Sequence, residues 1–481
     1  MSALLLGASA IPLADRTPRD WLAILNARLD TQLARVAVPE AYYNGDHPLQ
    51  FATSKFKEAF GNLFSAFADN WCEIVVDAPV ERLQVIGFRY GDAASEQAWQ
   101  IWQENALDVE SVIAHTEAGK CGVAYLLVDP NNGDPRITVE HASQCIVACD
   151  PGNRRHRLAG LKRWQGDDGK LYATLYLPDV VLKFETAQPM IAGTGLDIDW
   201  TSRRDGPDVS NPLGVVPVIP LTNAPTILGG GQSDLKPAIP IQNAINKLCT
   251  DMLVASEFGA FRQRVLTGVE IPRDPETGRP LGRSEIVAAM SRLWTFESTD
   301  AKVYDLNPTD LSNFVAAVDM FRQDMAAQTR TPPHYLLGQV VNASGDALKV
   351  AEAGLTSKCR RKILYFSDPW EESMALALQS TGTDVRPSEV ETMWADPERT
   401  SLGELVDASV KKRTLGIPLE VIWLELGYTP EQIADMKRLA GLPDRPPPGA
   451  TTANVPPVLG GTPPGGPTPT PAPPATAPPT T

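Results

Sequence analysis

Residues 211–264 read NPLGVVPVIPLTNAPTILGGGQSDLKPAIPIQNAINKLCTDMLVASEFGAFRQR, and the organisation of the chain can be read outward from them. Val215 to Leu221 is apolar and punctuated by proline, the pattern of a short strand. Gly229, Gly230 and Gly231 come next and are the hinge candidates, because glycine tolerates backbone conformations closed to other residues. From about Ala238 the period changes. Ile241, Ile245, Leu248, Met252 and Ala255 recur at three- and four-residue steps and make one apolar stripe on a helix. No catalytic residue type interrupts that stripe, so the helix is expected to be a beam packed against a partner.

The partner is expected after an insert. Residues 265–306 hold short strands and Pro/Gly turns, with a small helix near Ser284 to Leu293, the make-up of a small β-rich unit. A second beam then begins, with Asn307 as N-cap, Pro308 at the first position and Asp310 in the first turn. Leu311, Phe314, Val315, Val318, Phe321 and Met325 share one face of it. Thr331-Pro332-Pro333 ends this helix. A glycine-containing loop, Gln339 to Gly345, precedes a long helix over about Asp346 to Gln379. Short helices are expected over 402–415, 419–426 and 430–439. From Pro443 to Thr481 the chain is Pro, Thr, Gly and Ala with almost no charge, a composition too poor in apolar groups to fold.

Upstream of the quoted stretch the pattern is helices followed by a meander. Thr17 caps a helix over Pro18 to Val36, striped by Trp21, Leu22, Leu25, Leu29 and Leu33. Residues 41–47 read as a turn and Phe56 to Asp69 as an aromatic-faced helix. Leu83 to Tyr90 is strand-like, Ala93 to Asn105 and Val109 to Gly119 are helical, and Gly122 to Val128 is a buried strand. Asn131 to Asp134 and Gly166 to Gly169 are hairpin turns. They join Gly122–Val128 to Arg136–Glu140, and Leu158–Trp164 to Leu171–Tyr176, with Val180 to Glu185 extending the sheet. The fold class expected is α+β.

At 481 residues, 43% hydrophobic and 21% charged, the chain is expected to bury a large core. Its net charge of −15 argues against gripping nucleic acid by general attraction, which needs clustered Lys and Arg. The six cysteines have no framework spacing, so reduced thiols inside a cell are expected. No stretch has transmembrane length, and no membrane partner is expected. No phosphate-loop lysine follows Gly229–Gly231, and no GxSxG surrounds Ser233 or Ser344. His141, Cys145, Cys149 and His156 are ligand types that suit zinc, yet their spacing fits no common paired-ligand pattern, and core or loop roles are the simpler reading. No catalytic residue and no cofactor is assigned.

The chain resembles the portal proteins of long-tailed bacteriophages, particularly those infecting actinobacteria. Tyr42-Tyr43-Asn44-Gly45, Asn70-Trp71-Cys72, Val76-Asp77-Ala78, Glu81-Arg82-Leu83 with Gly87-Phe88, and Gly122-Val123-Ala124-Tyr125 carry the match in the first half. It continues through residues 211–218, Gly231 to Asp234, Ile241 to Lys247, Thr331 to Gly338 and Ser344 to Leu348, so that it covers about residues 15–440. None of these motifs is catalytic; their order along the chain makes the resemblance specific.

The resemblance implies a ring, usually of twelve subunits, at one capsid vertex, through which double-stranded DNA is packaged and ejected. It implies a wing over 1–237, stem helices over 238–264 and 307–330, and a clip over 265–306. A channel loop near 331–345, a long helix with a return to the wing over 346–399, a helical crown over 400–442 and a disordered tail complete the layout. Val340, Val341, Asn342, Ala343, Ser344 and Gly345 are then channel-loop candidates. Ile241, Ile245, Leu248, Met252, Leu311, Phe314, Val318 and Phe321 are the stem-packing set. The partners implied are further copies of the chain, the terminase large subunit, the head–tail adaptor, and major capsid and scaffolding proteins. Read from the residues alone, an enzyme with an unrecognised site in the α+β body, or another virion component, remains open.

Overall fold

Thr17 begins the first helix by a reciprocal capping box. Its hydroxyl accepts the Asp20 N–H at 3.3 Å while the Asp20 carboxylate accepts the Thr17 N–H at 2.8 Å. The computed structural model describes residues 16–47, 69–91, 93–189, 198–203, 206, 208–227, 229–260, 264–267, 302–305, 310–338, 345–398, 402–428 and 430–440. The helix expected before Asp69, the small helix near 284–293 and the tail from 443 lie outside these residues.

Helix α1 (Pro18–Tyr43) runs seven residues past its expected end, straight through Pro39. The reason is tertiary: Tyr42 is buried in a core with Val75 and Ile241, and the turn is delayed to Asn44 and Gly45. Helix α2 (Cys72–Val80) leads into β1 (Val85–Tyr90) and the short β2 (Ala93–Ala94). Ser95 caps α3 (Glu96–Glu104), and α4 (Leu107–Cys121) ends on Gly122, whose φ of +88° makes the left-handed cap glycine favours.

The meander follows the hairpins read from the sequence. β3 (Val123–Asp129) pairs with β4 (Arg136–Glu140) and, on its other edge, with β11 (Val218–Thr222). β5 (Cys145–Cys149), β6 (Arg157–Gln165), β7 (Leu171–Tyr176), β8 (Val180–Thr186) and β10 (Val209–Ser210) form the antiparallel order 10-8-7-6-5, with β9 (Trp200–Ser202) also on β8. Trp21, Leu22, Leu25 and Leu29 of α1 bury their stripe against this sheet, on Ile146, Leu161 and Leu175.

Helix α5 (Ala238–Ala260) and helix α6 (Ser312–Thr329) are the two beams, and they pack together. Between them β12 (Arg264–Thr267) pairs antiparallel with β13 (Lys302–Asp305), so the far ends of the helices are adjacent and the pair is antiparallel. The second beam starts four residues later than expected. Asp310, placed in the first turn by the sequence pattern, instead lies just ahead of it and accepts the Ser312 N–H at 2.9 Å.

After α7 (Pro333–Leu337), the long helix α8 (Gly345–Ser380) crosses the body. Its Phe366, Trp370 and Met374 join Phe88, Trp102, Leu126 and Ile219 in the largest core, with the Trp102 and Trp370 rings 5.1 Å apart. Besides the short β2, β9 and β10, one longer strand had no counterpart in the sequence pattern. β14 (Val390–Trp394) pairs antiparallel with β1, about three hundred residues away, and completes the sheet order 14-1-2. α9 (Leu402–Thr414), α10 (Leu419–Glu425) and α11 (Pro430–Ala440) follow. Leu424 and Ile433 close a small core on Ile86.

Candidate functional site

The first turns of α5 carry three amides beside the apolar stripe, and together they fasten the helix pair to the body. Gln242 is fully buried; its Nε2 donates to the Asp69 carbonyl at 2.5 Å and its Oε1 accepts the Trp71 N–H at 3.0 Å. Asn243 accepts the Tyr42 hydroxyl at 2.6 Å, and Asn246 meets the His47 ring at 3.0 Å. The second beam reaches the same segment. Arg322 pairs with Asp69 at 3.0 Å and stacks over the Trp71 ring at 4.5 Å. Buried polar groups cost free energy unless satisfied, so this short segment fixes one position for the root of both helices.

A charged node lies beside that root. Asp234, just ahead of α5, pairs with Lys362 at 2.6 Å and Lys358 at 3.7 Å, both from α8. Lys362 also donates to Asn223 at 2.7 Å, and Lys358 lies 3.3 Å from the Thr329 carbonyl at the end of α6. Burial alone would push the Asp234 carboxyl up, but the two lysine charges and the hydrogen bonds outweigh it and hold it below the usual carboxylate range. The segment before α5, the long helix and Asn223 therefore meet at one carboxylate, and the end of α6 joins them through Lys358.

A third node frames the segment before α8. Arg82 is buried, pairs with Glu352 of α8 at 3.3 Å and donates to the Tyr335 hydroxyl of α7 at 3.0 Å. Both flanks of residues 339–344 are thus gripped by one guanidinium. Val340, Val341, Asn342, Ala343 and Ser344 lie outside the described residues, and Gly345 is the first residue of α8.

The packing set is graded along the helix pair. Ile241, Ile245 and Val318 are buried in one core with Met325 and Ala326, and Leu248 and Phe321 pack on its edge. Met252, Leu311 and Phe314, toward the far end, are only half-buried, and Val315, read from the pattern as part of this face, is 51% exposed. The glycine run is not uniform. Gly229 and Gly230 have φ of +89° and +73°, while Gly231 sits where an added Cβ would fall 1.8 Å from the Gly122 carbonyl oxygen. The Gly231 carbonyl also accepts the Arg35 guanidinium at 2.5 Å.

His141, Cys145, Cys149 and His156 are not brought together. Cys145 is buried on β5, His156 is 59% exposed beside Asp150, and His141 turns instead toward Glu117 and Cys121 of α4. Pattern reading missed Arg82, Gln242 and the Asp234–Lys358–Lys362 node. The available signal was a run of amides, Gln242, Asn243 and Asn246, beside the apolar stripe, and two lysines four apart on a long helix.

The family described as phage portal protein, SPP1 Gp6-like, matches residues 22–439. A portal protein of Mycobacterium phage D29 is 32% identical over 391 residues, covering 76% of this chain and 77% of that protein. A portal protein of Mycobacterium phage L5 is 31% identical over 389 residues, with the same two coverages. Among solved structures, a chain from the neck of a native GTA particle, computed with C12 symmetry, aligns over 77% of this chain and 88% of its own, at 12% identity and a TM-score of 0.42.

Proposed function

Because the chain belongs to the SPP1 Gp6-like phage portal protein family, we propose that its antiparallel helix pair is the stem of a ring that conducts double-stranded DNA. Portal proteins form ring oligomers and are structural components of the virion at the capsid vertex. The finer assignments are our reading. α5 with α6 forms the stem, 265–306 the clip, 331–345 the channel-loop region, 400–442 the crown, and the rest of the body before α5 the wing. The clip meets the terminase large subunit during packaging and the head–tail adaptor afterwards. Twelve copies close the ring, assembled in the host cytoplasm with capsid and scaffolding proteins, and no catalytic step is assigned to it.

The observation that carries this reading is the way the helix pair is held. Its root is bolted to the body through Gln242, Arg322 and Asp234, while the stripe loses burial toward Met252 and Phe314. Such a pair passes movement between its tip and the Arg82-gripped flanks of the 339–344 segment without coming loose from the body. Enclosing DNA without holding it also requires few phosphate contacts, since every neutralised phosphate adds salt-dependent affinity. A net charge of −15 fits that requirement.

Negative-stain images of the purified full chain test the reading. Rings with an axial hole are expected, with weak, salt-sensitive DNA binding. Particles without a ring or a channel would sink it, and catalytic turnover by a monomer would favour an enzyme instead.

A further inference from the structure

The turn after β4 brings His141 against two residues one helical turn apart on α4. The His141 Nε2 lies 3.0 Å from a Glu117 carboxylate oxygen and 3.6 Å from the Cys121 sulfur, and that sulfur is 3.8 Å from the same oxygen. Among the described residues these three form the one group of three or more ligand-type side chains with all donor atoms within 4.8 Å. A fourth donor comes from α1, where a Glu40 oxygen lies 3.7 Å from the same Nε2. A tetrahedral zinc with Zn–S of about 2.3 Å and Zn–N or Zn–O of about 2.0–2.1 Å holds its donor atoms roughly 3.3–3.6 Å apart. The separations among Glu117, Cys121 and His141 bracket that range, so a cation can sit between these three donors after shifts of a few tenths of an ångström. Glu40, outside that mutually close group, completes the shell only by a larger side-chain movement.

We propose that Glu117, Cys121 and His141, closed by Glu40, form a site for a zinc-type divalent cation that ties α1 and α4 to the sheet. The charge count supports it. A thiolate and two carboxylates bring three negative charges, the cation two positive, and Lys120 supplies the last positive charge, 2.8 Å from Glu117 and 3.6 Å from Glu40. The outer contact is also present: the Ser143 hydroxyl lies 2.6 Å from the His141 Nδ1 and accepts its proton when Nε2 is a ligand. The Ser143 N–H, 3.1 Å from Nδ1, favours the other tautomer in the cation-free protein, so binding moves the ring proton from Nε2 to Nδ1 and releases the thiol proton to solvent. Glu117 and Cys121 are four apart on a helix and His141 lies twenty residues on, a spacing that no paired-ligand motif announces.

The test uses the full chain, stripped with chelator and titrated with Co²⁺ alone, followed by competition with Zn²⁺. A single cobalt per chain is expected, with the intense visible bands of a tetrahedral site and a near-ultraviolet thiolate-to-cobalt band that zinc abolishes. Cys121→Ser removes the thiolate band, and His141→Ala weakens binding beyond the ~10–100-fold that an outer contact costs. Cys149→Ser leaves the spectrum unchanged. Far-ultraviolet circular dichroism checks that each variant is folded; if Cys121→Ser is not, the wild-type bands and His141→Ala decide. Absence of retained cobalt, an octahedral spectrum, or a thiolate band that survives Cys121→Ser overturns the site and leaves these residues as an ion-pair cluster.

Discussion

Replacing Asp234 by asparagine removes the carboxylate on which the helix pair, the body and the long helix converge. Its partners Lys358 and Lys362 expose only 8% and 3% of their side chains, so water cannot substitute for the lost charge. Breaking a buried ion pair from one side costs about 3–5 kcal/mol. At about 2 °C per kcal/mol for a large folded body, Asp234→Asn is expected to lower Tm by roughly 6–10 °C near neutral pH. The deficit carries a pH signature. Burial pulls the Lys358 ammonium below the lysine range; Asp234 opposes that pull and Lys362 adds to it. Without the carboxylate the folded-state value falls further below the unfolded value near about 10.4, so across that interval the unfolded chain binds more protons. Stability of the variant therefore rises with pH, and the deficit shrinks between about pH 7 and about pH 10. Asp234→Asn combined with Lys358→Met should recover only the part of the loss that Lys358 carries, because the Lys362 ammonium, 2.6 Å from Asp234 in the wild type, still lacks its carboxylate. The assay is thermal unfolding by circular dichroism across that pH range. A single variant within about 2 °C of wild type, or a deficit that does not move with pH, refutes the node as the anchor.

Other consequences are as direct. Gly231→Ala places a methyl against the Gly122 carbonyl oxygen and should cost about 3 kcal/mol or more, whereas Gly229→Ala meets no atom within 4 Å and should cost about 1–2 kcal/mol from its positive φ; chemical denaturation ranks the two. Gln242→Leu leaves the Trp71 N–H and the Asp69 carbonyl without partners, and about 2–4 kcal/mol of destabilisation with faster proteolysis near residue 69 is expected. Burial, with a smaller push from Lys362, drives the His115 imidazole down to about 3. The unfolded chain then takes up a proton below its own value near 6.5 and the folded chain does not, so stability falls with acidification from about 6.5 toward 3 by up to about 1.4 kcal/mol per pH unit. His115→Gln, which keeps an acceptor for the Trp370 indole N–H, should flatten that slope in a Tm–pH series.

Elements with a local cause were legible in the sequence. The capping box at Thr17, the turns at 131–134 and 166–169, the stripe of α5 and the start of the long helix all arise from residues within a few positions of each other. Elements with a distant cause were not. β14 is a strand because β1 offers it an edge, and α1 continues past Pro39 because Tyr42 has a core to enter. The same division runs through the candidate site. The stripe was visible as a period, but Gln242 reads as any surface amide until Asp69 and Trp71 are placed against it. The sequence set a zinc-type grouping of His141 with Cys145, Cys149 and His156 below core or loop roles, and it held no sign that the fold sets His141 against Glu117 and Cys121.

By itself, then, the sequence determined the α+β class, the two beams, the long helix that follows them and the family, because periodicity, capping and motif order are properties of the chain. Only the tertiary structure decided where the helix pair is anchored and which polar residues matter. Asp234, Lys358 and Arg82 acquire their roles from burial beside partners about a hundred or more residues away, and the cost of an unpaired charge exists only once folding has removed the water.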